Sequence, residues 1–141
     1  MGRLPRSPLE VFLALRVLAV AISVPLITRL PLSRQETLLE PRRRRPRDPE
    51  REAWLVENVD GLLNLGKPVV RPGCLTRGLT HYFFLRRAGV DVRLTYGLAT
   101  PIGSTEGHCW LVRDGEPFLE RTDPRELYVE TYSIPRAREC A

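Results

Sequence analysis

The stretch Arg71–Leu98, "RPGCLTRGLTHYFFLRRAGVDVRLTYGL", changes its period once, and that change decides the fold class. Pro72 and Gly73 close an extended segment, after which the spacing predicts a helix from about Cys74 to Arg87. Arg86 and Arg87 suit the negative end of such a helix, and Gly89 suits its left-handed cap. Apolar Val90, Val92, Leu94 and Tyr96 then alternate with polar Asp91, Arg93 and Thr95, the period of a half-buried strand. Beyond a loop expected over Thr100–Gly107, "HCWLVR" (His108–Arg113) reads as a second strand, Asp114-Gly115 as a turn and "EPFLE" (Glu116–Glu120) as a third strand. One helix followed by an antiparallel meander places the chain in the α+β class.

Upstream, "AWLVENVDGLLNLG" (Ala53–Gly66) has helical spacing and stops at glycine. Leu9 to about Val24 is a further predicted helix, followed by a Pro-broken segment and a polar, Arg-rich stretch over Ser33–Glu52 that reads as a tether. The expected organisation is an N-terminal helix and tether over 1–52 and a body over 53–141. "VFLALRVLAVAISVPLI" (Val11–Ile27) is interrupted by Arg16 and Pro25, short of the ~20 unbroken apolar residues of a span. No small-x-small cleavage site follows it. It is expected to pack on its own domain or a partner, with peripheral membrane contact as the alternative.

The net charge is +5, and "PRRRRPR" (Pro41–Arg47) carries most of the excess. No aromatic platform or groove-reading helix flanks that run, which argues against nucleic acid as a partner. A solvated linker is the plain reading; an acidic leader peptide, an acidic partner or anionic lipid is the alternative. Cys74, Cys109 and Cys140 are odd in number, with no C-x-x-C and only two histidines. That pattern fits neither a disulfide framework nor a structural zinc site, and suggests a reducing, cytoplasmic setting. The question becomes which thiol reacts.

Cys74 stands where a helix should begin, and the unpaired N–H groups and dipole there favour a thiolate. The plain alternative is a small buried hydrophobe. His81 shares its helical face but lies seven residues on, ~10 Å along the axis, too far to bond the sulfur. His108 is the other candidate base. In a strand, His108 and Trp110 share one face and Cys109 and Leu111 the other, so Cys109 is expected to point away from Cys74 and pack the core. The acid depends on the turn. A three-residue turn (Arg113, Asp114, Gly115) sets Glu120 opposite His108; a two-residue turn sets Arg121 there and gives Asp123 the matching parity.

Taken together, Arg71–Leu98 and "EGHCWLVRDGEPFLE" (Glu106–Glu120) resemble the transglutaminase-like cysteine peptidases that mature bacterial lasso peptides. The likeness covers about Val69–Glu120. It implies a transglutaminase-like, papain-like core with Cys74 as nucleophile, His108 as base and Glu120 as acid, and so favours the three-residue turn. Two positions depart from the family pattern: Glu120 stands where aspartate is usual, and Cys109 where alanine is usual. The implied activity is removal of the leader from a ribosomally made precursor, without metal or organic cofactor. The implied partners are the precursor leader, a separate leader-recognition protein and a cyclising enzyme. Two further readings share the fold: an acyl transferase using the same triad, and a non-catalytic peptide-binding module.

Overall fold

A computed structural model describes residues 5–99 and 106–136. Its elements are helices α1 (Pro8–Ile27), α2 (Leu32–Leu39), α3 (Pro49–Leu65) and α4 (Cys74–Arg87), and strands β1 (Arg93–Ala99), β2 (Gly107–Arg113), β3 (Glu116–Phe118) and β4 (Tyr128–Ile134). The fold is α+β: four helices with a four-stranded antiparallel sheet in the order β3-β2-β1-β4.

Each helix starts where its chemistry allows. Ser7 and Glu10 form a capping box at α1, and Asp48 accepts from the Arg51 amide ahead of Pro49 at α3. α1 turns Ala14, Val17, Ala21 and Val24 inward, a spacing of three and four that forms one stripe. Val17 and Val24 join Leu39 of α2, Leu55 and Val59 of α3, and Leu79, Tyr82 and Leu85 of α4 in one core with Leu94, Leu111 and Ile134 of the sheet. Full burial of each such aliphatic side chain contributes about 1.5–3 kcal/mol, which fixes α4 against β1 and β2. The opposite face of α1 is open: Leu9, Phe12, Leu15 and Leu26 are each more than half exposed. By length and composition this helix could cross a membrane, with 22% of its most apolar stretch buried in the protein.

Three expectations change. The Arg-rich stretch is not a free tether, for it contains α2 and the first turn of α3, and it is pinned at both ends. Arg86 reaches Glu40 at 3.0 Å, while buried Glu52 bridges Arg47 and Arg113 at 2.6 Å each. Arg42–Arg45 keep the solvated character read from composition. The hairpin uses the two-residue turn: Arg113 pairs with Glu116 and Leu111 with Phe118, so the three-residue register is overturned. Asp114 and Gly115 both have positive φ, at 52° and 81°, which is the turn that matches strand twist. Finally, the third strand ends at Phe118 rather than Glu120, because Leu119 takes φ 63° and breaks the pleat. β4, which pairs with β1 at the sheet edge, was not among the expected strands.

Candidate active site

α4 begins at Cys74 itself. Gly73 precedes it at φ 154°, ψ 162°, a conformation that L side chains rarely adopt, and no side chain caps the helix. The first N–H groups of α4 are therefore available beside the half-buried Cys74. The Cys74 thiol is brought down to about 5. Hydrogen bonding from the Cys109 thiol is the largest cause; burial opposes it, and the Cys109 backbone N–H, the His108 ring and its charge add to it. Cys109 moves the opposite way, well above the ordinary thiol range, through its bond to Cys74 and its burial. Of the pair, Cys74 carries the charge and Cys109 keeps the proton. Alkylation of Cys74 by iodoacetamide should therefore rise with pH through a midpoint near 5, since the thiolate is the form above the pKa. An unperturbed thiol rises near ~8.5. Peptide mass analysis across a pH series reads this, and a midpoint near that of a free thiol would refute the contacts described.

The position of Cys109 corrects the alternation reading. Alternation itself holds: His108 stacks on Trp110, with centroids 6.0 Å apart, and lies 5.0 Å from Tyr128, whereas Cys109 is 3% exposed in the helix-facing core. Its sulfur lies 3.1 Å from where a Cβ on Gly78 would stand, one turn along α4 from Cys74. Cys109 thus points toward α4, not away from it. His108, the second residue of β2, acts on the Cys74 thiol through its ring and its charge.

The acid comes together by an unforeseen route. His108 Nε2 lies 3.5 Å from Glu120 Oε2, although the two-residue register alone would set Arg121 opposite His108. The left-handed Leu119 resets the parity and turns Glu120 back. Asp123, the alternative acid, instead caps a 3-10 turn at Pro124–Glu126 and pairs with Arg125 at 2.7 Å. His108 and Glu120 are thus adjacent, His108 acts on the Cys74 thiol, and Asp123 is not with them. Residues 12–133 match the Transglutaminase-like superfamily.

The chain belongs to that superfamily. Its members are usually Cys-His enzymes, and membership points to a cysteine peptidase or an acyl transferase. Neither a curated protein nor a solved structure matches the chain.

Within this transglutaminase-like site, the sequence reading missed Arg77. Its guanidinium donates to Asp60 at 2.9 and 3.1 Å, to Glu120 at 3.3 Å and to the Leu119 carbonyl at 2.7 Å. It therefore holds both the strained residue and the carboxylate that follows it. Asp60 also meets Nε2 of fully buried His81 at 3.1 Å, and the bonds from His81 and Arg77 push its carboxyl below the usual range. His81 is a structural partner, as its distance from Cys74 along the helix implied. A usable signal existed: Cys74, Arg77, Gly78 and His81 follow the helical spacing of one face. Their common partner Asp60 lies on α3, and no local pattern links it to α4. Beside Gly73 a cleft of about 340 Å³ is lined by Asp60, Lys67, Arg71, Arg77 and Arg121 among others. It offers an extended, largely cationic surface next to the start of α4.

Proposed function

We propose that this transglutaminase-like protein is a cysteine peptidase that removes the leader from a ribosomally made lasso-peptide precursor. The observation that carries the reading is the lowered pKa of the Cys74 thiol at the uncapped start of α4, with His108 among the causes and Glu120 3.5 Å from the His108 Nε2. In this mechanism the Cys74 thiolate attacks the scissile carbonyl. His108 gives its proton to the leaving amine, then takes one from the water that releases the acyl group. Glu120 faces Nε2, which leaves Nδ1 for the sulfur and holds the ring orientation; Arg77 holds Glu120. The Cys74 backbone N–H, at a helix start, is the candidate oxyanion donor.

The active-site likeness to the lasso family supports the substrate class, and the cationic cleft beside Gly73 is a path for the precursor chain. In this reading the protein works in the cytoplasm. A separate recognition protein presents the leader, and the cleaved product passes to a cyclising enzyme. The exposed stripe of α1, through Phe12, Leu15 and Leu26, is the face offered to one of these partners, or to the membrane surface.

The deciding experiment incubates the full chain with a lasso precursor and its recognition protein, with and without an added primary amine, and weighs the products. A leader fragment ending in a free carboxylic acid supports the peptidase. A fragment that gains the amine in preference to water shows an acyl transferase, and an intact precursor that co-purifies with the chain shows a binding module.

A further inference from the structure

Cys109 has no role in the acyl-transfer steps, yet its thiol lies against the helix that Cys74 opens. Two observations place it there. Gly78 is four residues from Cys74 on the same face of α4, and the Cys109 sulfur lies 3.1 Å from the Cβ position of Gly78. That position is empty because residue 78 is glycine, and the sulfur of Cys109 fills the space. α4 and β2 also pack directly against one another, and interaction with the Cys109 thiol and backbone N–H lowers the pKa of the Cys74 thiol. The pair is asymmetric in access: Cys74 is half-buried and Cys109 is 3% exposed. A solution oxidant therefore meets Cys74 first, with a second thiol waiting behind it.

We propose that Cys74 and Cys109 are a peroxide-responsive thiol pair, in which oxidation of Cys74 is resolved by Cys109 into an intramolecular disulfide joining α4 to β2. In the first step the Cys74 thiolate attacks one oxygen of hydrogen peroxide. An S–O bond forms, the O–O bond breaks, and the departing hydroxide takes a proton to leave as water. In the second step the Cys109 sulfur attacks the Cys74 sulfur of the sulfenic acid. The S–S bond forms, the S–O bond breaks, and the hydroxide leaves as water with the Cys109 proton. Two thiols lose two electrons and two protons, and one peroxide becomes two waters.

The site favours this order. The thiolate form of Cys74 is the nucleophile toward peroxide. The largest cause that keeps Cys109 protonated, its interaction with the Cys74 thiolate, changes once Cys74 is a neutral sulfenic acid, while burial still acts on it. α4 and β2 are already packed together, with the Cys109 sulfur against the face of α4 that carries Cys74 and Gly78. The disulfide masks Cys74 reversibly and shields it from sulfinic acid, which thiols do not reduce. The loss of activity that follows rests on Cys74 being the nucleophile; the disulfide itself does not.

The test uses the full chain carrying Cys140→Ser, so that only the two thiols remain. The protein is treated with dilute hydrogen peroxide, quenched with N-ethylmaleimide, digested and weighed, and precursor cleavage is measured before and after dithiothreitol. The expected result is a Cys74–Cys109 cross-linked peptide lighter by two hydrogens, with loss of activity that dithiothreitol restores. In Cys109→Ala, which places the usual residue of related peptidases there, the cross-link is absent. Cys74 then proceeds to the sulfinic acid, and dithiothreitol restores nothing. Cys109 recovered as the maleimide adduct while Cys74 is sulfinic in the otherwise wild-type chain would overturn the proposal. A cross-link formed in full with cleavage unchanged would leave the thiol pair standing and overturn the nucleophile assignment instead.

Discussion

Cys74→Ala is expected to reduce precursor cleavage by roughly 10⁴-fold or more, with helix content and thermal unfolding close to those of the parent protein. The size follows from what is removed. The covalent step disappears altogether, and a uniform loss of binding could not imitate that. The half-buried Cys74 side chain is small, so its truncation costs little packing. Circular dichroism alongside cleavage kinetics separates the two effects. His108→Ala should approach the same loss, because the pair acts as a unit and its effects do not add. Cleavage retained within a few-fold by Cys74→Ala would end the catalytic assignment and leave the peptide-binding module as the surviving account.

The second large effect separates two carboxylates. Glu120→Gln is expected to lower turnover by roughly 10²–10⁴-fold, in line with the neutral-amide substitution of a triad acid. Asp123→Asn should leave turnover near the parent level. Glu120 lies 3.5 Å from His108 and is anchored by Arg77, whereas Asp123 caps an exposed turn and binds Arg125. The loss in Glu120→Gln should fall on kcat with KM little changed, since the carboxylate contacts the base and not the peptide. Equal losses in both variants, or the reverse ranking, would mean that the 120–123 segment rearranges on binding substrate.

The two-residue turn and the Glu120 contact coexist, and the reason is instructive about strand arithmetic. Constant-sum pairing assumes that both strands continue, and β3 stops after three residues. Leu119 then adopts a backbone region unusual for a side-chain-bearing residue and is held there by Arg77 from another element. No local rule reads a left-handed leucine, because its cause lies on α4. For the same reason Arg77 and Asp60 escaped notice: their meaning is a four-way contact across α3, α4 and the segment after β3. The Arg-rich tether failed differently. Composition recognised the solvated Arg42–Arg45, but it could not show that Glu52 was buried between two arginines.

Local chemistry was enough for the helix that opens at Cys74, the alternating strands, the Asp114-Gly115 turn and the α+β class, since each depends on periodicity or backbone preference among neighbouring residues. It also offered Cys74 and His108 as candidates, because a thiol at a helix start and an imidazole at a strand start are visible in the order of residues. The tertiary structure alone decided that Glu120 rather than Asp123 meets His108, that Cys109 faces α4, and that Arg77 links the site to Asp60. Those outcomes depend on which side of a strand meets which turn of a helix. The packing of α4 over β2 sets that relation, and no stretch of contiguous sequence encodes it.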